Sequence, residues 1–600
     1  MLSFPEFSVL SSCAVEPGRT QRSIAEATEL SVGLVNATVR SLRTGWLLDD
    51  AGALTPAGMR ALEPHRVRNA VILAAGMSTR FAPVSYDTPK GLLTVRGEVL
   101  IERQIRQLRA AGIDDVTVVV GHMKEKFFYL GDEFGVSIVV NPDYAERNNT
   151  SSIMCAADRI DSTFICSCDN YFVQNPFEPY AWRAYYAATY HEGPTQEYCL
   201  RTKTKHRRIV DVTVGGEDSW IMMGHAYWDP EFSASYLRFL RAEYDHAATA
   251  SKLWEDLYAE RICALRMDMR PFAPGMVWEF DSIEELSAFD PTFVEDVDCP
   301  VFDNICEVLN CAKGDIRRIE PIKEGLTNLS FRFEVGEDAY VYRHPGPGSN
   351  ELINRASEAF SQGVASQLGL DTTYLHEDPA EGWKVSRFLE GCATLDYDDR
   401  DQVAAALGLL RRLHDHPVDS GFDFDVYAAT LETIELIDHQ RRVMFRDFTQ
   451  MTRMAEELAA LARAHGARRC LCHNDSYAPN FLVHPGGIDL IDWEYSGMSD
   501  YASDLGTFIC CSQYTVEQAR EVLQVYFGRP LEPVEEFHCL AYCCLSSYYW
   551  FIWALYKEVC GDPVGSYLYL WYRHAKGFGE EARQRAAELG LTAPDVRPTA

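Results

Sequence analysis

One spacing constrains this chain more than any other. His473-x-Asp475 is followed by Asn480 and then by the apolar strand Ile488-Asp489-Leu490-Ile491, which ends in Asp492-Trp493-Glu494. Taken alone, H-x-D-x-x-x-x-N recurs by chance in long chains, but its coupling to a strand that ends in a carboxylate does not. Such a loop, with a downstream strand that ends in Asp, places Asp475 beside an acceptor hydroxyl and two oxygen ligands, Asn480 from the loop and Asp492 from the strand end, beside Mg2+. The stretch upstream agrees. Glu324-Gly325-Leu326-Thr327-Asn328 reads as a nucleotide-covering turn, with Gly325, Thr327 and Asn328 as nucleotide contacts. Tyr340-Val341-Tyr342-Arg343 reads as the strand that carries a phosphate-contacting cation, and Glu358, on the following helix, can pair with Arg343.

The chain has room for more than this. Its 600 residues, at roughly 100–200 residues per domain, argue for three or more folded units. The apolar share of 47% supplies several cores and excludes a disordered or fibrous chain. A formal charge of −32 repels nucleic-acid backbones and anionic membranes wherever positive charge is not locally concentrated. The 18 cysteines show no zinc spacing and read as reduced thiols of a cytoplasmic protein. No basic region precedes an apolar core at the N-terminus, so no secretory signal is read there. Residues 539–556 are uncharged but rich in Ser and Tyr, and read as a buried helix rather than a membrane span.

Composition changes near residues 66 and 295. Before the first break, two helical-period runs are followed by Gly45-Trp46-Leu47-Leu48 and Leu54-Thr55-Pro56, which suggests short helices and a small β wing. Between the breaks, strand and helix alternate, so a parallel sheet covered on both faces is expected. The strand Ala70-Val71-Ile72-Leu73 runs into Ala74-Ala75-Gly76-Met77-Ser78-Thr79-Arg80, and Pro89-Lys90 follows. A small-residue turn after a strand can wrap phosphate oxygens with its amides, and Arg80 and Lys90 add fixed positive charge. Asp169 closes a later strand, at the end where open α/β sheets place their chemistry.

These residues carry three resemblances. The first 66 residues resemble a winged helix-turn-helix of the MarR-like kind. Seven Arg and no Lys against seven acidic residues leave residues 1–68 neutral, which weighs against DNA as a partner, although Arg40 and Arg43 keep it open. The set Leu73-Ala74-Ala75-Gly76-x-Ser78-x-Arg80…Pro89-Lys90 resembles nucleotidyltransferases that make sugar nucleotides and CDP-alcohols. With Asn141-Pro142-Asp143-Tyr144, Asn148-Asn149, Ser152, Gly224-His225-Ala226-Tyr227-Trp228 and Trp278-Glu279-Phe280-Asp281 in order, it is similar to the bacterial choline-phosphate cytidylyltransferases. That resemblance implies nucleotide contacts at Leu73, Ala74, Ala75, Gly76, Ser78, Gly121, Asn149 and Ser152, catalysis by Lys90 and Arg80, and substrate contacts at Tyr227 and Trp254. It also implies Mg2+ on Asp169, Glu279 and Asp281, although Asp281 would equally suit the N-cap of the helix that follows. The usual second glycine of the loop is Ser78 here. The third segment resembles the choline/ethanolamine kinase and aminoglycoside phosphotransferase superfamily, and Arg343 followed by His-Pro-Gly resembles its bacterial choline kinases.

The expected architecture is therefore multidomain: a small winged-helix domain (1–66), an α/β Rossmann-like nucleotidyltransferase domain (67–295) and an α+β kinase-like phosphotransferase domain (300–600). For the acceptor, Tyr549, Trp550 and Trp553 lie within one helical turn and Glu494 follows the metal aspartate. Read as a cage these suit a quaternary ammonium, which cannot donate a hydrogen bond; read plainly they are an aromatic core helix. Together the resemblances imply ATP-dependent phosphorylation of choline, then transfer from CTP to phosphocholine, supplying phosphocholine for surface glycans. Ethanolamine or a sugar phosphate as substrate, UTP in place of CTP, and a ligand-sensing transcription regulator remain as alternatives.

Overall fold

A computed structural model describes residues 2–203, 207–322, 328–346, 353–440, 445–560 and 564–592. The chain divides into two compact units, 1–301 and 302–600.

The first unit opens with helices α1 (Phe4–Val15), α2 (Gln21–Thr28), α3 (Val32–Thr44) and α4 (Pro56–Leu62). Thr20 and Ser31 start α2 and α3 by accepting the amides of Ser23 and Leu34. Phe7, Val9, Leu10, Ile24, Val35, Val39, Leu42 and Leu62 form a core of their own. The expected β wing shrinks to a turn pinned by the single bridge Leu48↔Leu54. Arg40 and Arg43 are exposed, and so are Leu34 and Trp46. The helices are not a free module: Trp182 stacks on His65 at 4.9 Å and meets Phe7 at 5.3 Å and Phe4 at 5.8 Å. Trp182→Ala is expected to cost about 2 kcal/mol, below the ~3–5 kcal/mol of a fully buried aromatic, and to speed proteolysis within residues 1–66. Unchanged cleavage would show that another contact holds the helices down.

The rest of the unit is built on strands β1 (Asn69–Ala74), β2 (Asp115–Val120), β3 (Ser137–Val140), β4 (Thr163–Ser167), β5 (Asn170–Phe172), β6 (Tyr185–Lys203), β7 (Arg208–Trp228), β8 (Asp268–Phe272) and β9 (Val277–Glu279). The seven-stranded sheet runs β8-β6-β7-β4-β1-β2-β3, and β5 pairs with β9 apart from it. Only β4-β1-β2-β3 form the expected parallel core, because β7 joins β4 antiparallel. The hairpin β6–β7 is the reason: a tight connection can join only antiparallel neighbours. Around the sheet lie α5 (Leu100–Ala110), α6 (Thr150–Cys155), α7 (Pro230–Glu243), α8 (Trp254–Glu260) and α9 (Ile283–Phe289).

In the second unit, β10 (Ile316–Ile322), β11 (Asn328–Val335), β12 (Asp338–Pro345), β13 (Tyr374–Glu377) and β14 (Lys384–Arg387) form an antiparallel sheet in the order β10-β11-β12-β14-β13. Helix α10 (Arg355–Gln367) follows β12. The remainder holds α11 (Arg400–His414), α12 (Phe448–Ala464), the pair β15 (Arg469–Cys472) with β18 (Gly497–Asp500), the hairpin β16 (Phe481–His484) and β17 (Gly487–Leu490), and helices α13 (Tyr501–Cys510), α14 (Pro533–Cys560) and α15 (Tyr567–Leu589). The uncharged stretch 539–556 is the middle of α14, most of it buried. Among the described residues no helix is long and apolar enough to cross a membrane. All eighteen thiols are free.

Candidate active sites

The first site lies where β1 has β4 on one side and β2 on the other, the switch point at which open α/β sheets leave a crevice. Leu73, Ala74, Ala75, Gly76, Ser78, Lys90, Asn149, Ser152 and Asp169 line one cavity there. A Cβ on Gly76 would meet no protein atom within 4 Å, so the missing side chain leaves room in the cavity rather than in the core. Gly121 stands just behind, where a Cβ would come within 2.8 Å of the Ala75 carbonyl oxygen. Ser78 adopts φ 54° and ψ 36°. This left-handed conformation explains why glycine is the usual residue, and it costs a serine roughly 1–2 kcal/mol.

Lys90 is the electrostatic centre. Its ammonium donates to Asp169 at 2.7 Å and lies 3.9 Å from Asp281. Burial pushes the Asp169 carboxyl up, but the Lys90 charge and the Ser167 hydroxyl more than offset it and hold it below the ordinary range. For Lys90, desolvation works against the charge, and Asp169 wins by keeping the ammonium above its usual value. The register Asn170↔Glu279 of β5 and β9 delivers Glu279 to this place, and Asn170 Nδ2 donates to it at 3.1 Å. Although Glu279 keeps a solvent-facing edge, lost hydration and the nearby Asp169 raise its carboxyl. Ser282, not Asp281, caps α9. Asp281 instead faces Arg80 at 3.0 Å, with the Arg80 side chain mostly in solvent. Three carboxylates thus converge on one buried ammonium. Hard oxygen donors gathered in this way fit Mg2+.

The expected substrate contacts separate. Tyr227 is buried in the core, its hydroxyl 2.7 Å from that of Ser162, so it does not face substrate. Successive residues of a strand point to opposite faces, and Tyr227 lies on the wrong one. Trp254 is buried too, but on the other face, where it stacks on Tyr186 at 5.4 Å and 14°. Its amide donates to Asn149 Oδ1 at 2.7 Å. Beside it, Glu255 accepts from the Tyr186 hydroxyl at 3.0 Å and from Asn149 Nδ2 at 3.4 Å, and burial pushes its carboxyl up to about 7. Sequence reading passes over Tyr186 and Glu255. Their signal is a carboxylate directly after Trp254, and an aromatic in a strand that the sequence pattern does not announce.

In the second site, Asp475 is buried and Asn480 Nδ2 donates both to its carbonyl at 2.8 Å and to its carboxylate at 3.0 Å. Desolvation, then the charge of Asp492, raise the Asp475 carboxyl well above the ordinary range. Asp504, on α13, braces the loop by accepting the amides of His473 at 2.9 Å and Asn474 at 2.6 Å. It also faces His414 Nε2 at 2.8 Å. Nothing in its local sequence marks Asp504, because its partners lie 30 and 90 residues away.

Arg343 pairs with Glu358 and reaches Asp492 Oδ1 at 3.1 Å. Glu494, raised to about 7 by burial and by Asp492, accepts from Asn328 Nδ2 at 3.0 Å. Gly325 and Thr327 lie outside the described residues. Asp475, Asn480, Asp492 and Glu494 form an oxygen-rich set in which burial raises the carboxyls of Asp475 and Glu494, and hard donors of this kind fit Mg2+ here as well. Among the aromatics, Trp550 is the hub: its ring lies 5.0 Å from Tyr549, 5.5 Å from Tyr495 and 5.5 Å from Trp553. Trp550 and Tyr549 are buried. Trp553 is half-buried, and Lys557, one turn further along α14, stands over its ring at 5.9 Å.

Comparison with known proteins agrees with this geometry. Residues 70–210 match the model of the MobA-like NTP transferase domain, and residues 318–538 that of the phosphotransferase enzyme family. The chain is 34% identical over 230 residues to a 2-aminoethylphosphonate cytidylyltransferase of Lancefieldella rimae, covering 38% of this chain and 93% of the relative. It is 30% identical over 216 residues to a choline-phosphate cytidylyltransferase of Streptococcus pneumoniae, covering 36% and 94%. Protein LicA of Haemophilus influenzae is 26% identical over 255 residues, covering 40% and 94%. This chain is an enzyme that belongs to the cytidylyltransferases built on the MobA-like NTP transferase domain, and it carries a kinase-like phosphotransferase domain C-terminal to that domain.

Proposed function

We propose that the chain makes CDP-choline in two steps. The kinase-like domain transfers the γ-phosphoryl group of ATP to the hydroxyl of choline, breaking the β–γ bond and passing the hydroxyl proton to Asp475. The nucleotidyltransferase domain then lets a phosphocholine oxygen attack the α-phosphorus of CTP, and pyrophosphate leaves. Lys90 and Arg80 hold the triphosphate and offset charge at the reacting phosphorus. Asp169, Glu279 and Asp281 in one domain, and Asn480 and Asp492 in the other, would hold Mg2+, which would supply positive charge to offset that of the phosphates. Arg343 orients the ATP phosphates. The product would supply phosphocholine to surface glycans, and the N-terminal helices are read as a winged-helix module without a committed DNA partner.

The observation that carries this reading is the union in one chain of a cytidylyltransferase and a phosphotransferase, whose product is the kind of phosphomonoester the first consumes. The carboxylate and stacked rings of Glu255, Tyr186 and Trp254, joined to the cavity through Asn149, suit a cationic headgroup. Similarity to the 2-aminoethylphosphonate enzyme favours a second reading, with a phosphonate as acceptor for the nucleotidyltransferase. Incubating the full chain with Mg-ATP, Mg-CTP and either choline, ethanolamine or 2-aminoethylphosphonate, with products resolved by mass, separates the two. CDP-choline made from choline supports the first; turnover of the phosphonate alone overturns it.

The headgroup site also has a pH signature. Glu255, near 7, gains its charge as pH rises, so the KM for phosphocholine is expected to fall roughly three- to tenfold between pH 6 and 8. Glu255→Gln should flatten that difference while keeping the part due to ionisation of the substrate phosphate. An unchanged slope in the variant would remove Glu255 from the headgroup site.

A further inference from the structure

The phosphotransferase domain buries more cations around Glu358 than its pairing with Arg343 requires. Arg355 Nη1 bonds Glu358 Oε2 at 2.9 Å, while Arg343 Nη2 is paired to Oε1. Lys384 Nζ lies 3.7 Å from that same Oε1. The strand register sets Arg343 directly opposite Lys384 on neighbouring strands β12 and β14, which is why two cations reach one oxygen. Oε1 receives no well-aligned hydrogen bond among the described residues, so charge rather than direction holds it.

Lys384 is supported from behind. Its ammonium donates to Gln362 Oε1 at 3.2 Å, and Gln362 Nε2 donates to the buried Asp371 at 2.7 Å. Glu358 and Gln362, four residues apart, share one face of α10, and Lys384 bridges them. Arg343 has other commitments, to Asp492 at 3.1 Å and to Glu377 at 3.7 Å. A nucleotide phosphate that engages Arg343 must compete with these carboxylates. Glu358 is fully buried, and an uncompensated charge there would pull the guanidinium back.

We propose that Lys384 is a positioning residue for the nucleotide: it keeps Glu358 Oε1 neutralised so that the Arg343 guanidinium can turn to the phosphates. The proposal rests on the phosphotransferase reading of this domain but not on choline as acceptor. It is tested by the affinity of the full chain for Mg-ATP, measured by calorimetry, with steady-state kinetics beside it. Lys384→Met is expected to weaken ATP binding and raise the KM for ATP about tenfold, with kcat and the acceptor KM within about twofold. Lys384→Arg should restore most of the affinity. Lys384→Gln, which can still reach Gln362, keeps the packing and should behave like the Met variant if that one folds poorly. An unchanged ATP affinity in a folded Met or Gln variant overturns the proposal. So does a loss confined to kcat, which is what a merely structural role would produce. Wild-type protein that binds ATP but ignores choline would count against the acceptor reading alone.

Discussion

Asp475→Asn is expected to lower phosphoryl transfer to choline by about 10³-fold, within the range for loss of a positioned general base. The substitution is nearly isosteric, and the bond from Asn480 at 3.0 Å can be kept by the new amide oxygen. Binding of Mg-ATP should therefore persist. Conversion of added phosphocholine to CDP-choline should proceed at the wild-type rate, because that chemistry belongs to the other unit. The check is a mass assay of both half-reactions on one preparation. A variant that still phosphorylates choline at more than a tenth of the wild-type rate would show that the loop carboxylate only shapes the site. Loss of both half-reactions would mean that the residue supports folding rather than chemistry.

The second large effect is at Lys90. Lys90→Met should cut cytidylyl transfer by about 10³-fold, since it deletes a buried cation of the cavity, and removal of a single charge-stabilising donor costs about 10²–10³-fold on its own. It should also destabilise the first unit, because Asp169 would be left buried without its partner, and breaking such a pair costs about 3–5 kcal/mol. The double variant Lys90→Met/Asp169→Asn separates the two consequences. Stability should return when the orphaned charge is removed; activity should not, since Asp169 is itself a proposed Mg2+ ligand, so the kinetic test of Lys90 is the single variant assayed while folded. Recovery of activity along with stability would demote Lys90 to a structural ion pair. Throughout, phosphorylation of choline should be untouched.

Local patterns make much of both sites legible. Leu73 to Gly76 and Ser78, with Lys90 beyond them, line one cavity, because a loop between a strand and the next turn has few ways to leave a sheet edge. Asp475 and Asn480 meet because only a short loop separates them. Asp169, Glu279 and Asp281 come from distant stretches, and their convergence follows from a family resemblance, not from spacing. The strand pairing β5 with β9 is the physical cause.

Three kinds of feature are not legible. The hairpin β6–β7 sets two antiparallel pairings into the expected parallel sheet, and its polar, interrupted sequence hides two long strands. Resemblance assigns Tyr227 to substrate although the alternation of its strand buries it, whereas Tyr186, on the face with Trp254, carries no motif. Asp504 and Lys384 act across the fold, and no motif at either position announces its partner.

By itself, then, the amino-acid sequence determined the chemistry available at each strand end and loop: a small-residue turn with a lysine beyond it, and a carboxylate and an amide five residues apart on one loop. Only the tertiary structure decided which charges share a site and which aromatics pack together. Side-chain direction depends on strand register, and a shift of one residue reverses it. The strength of a charge depends on burial and on neighbours from distant segments. That is why Glu255 sits near 7 while Asp169 stays below the ordinary carboxylate range.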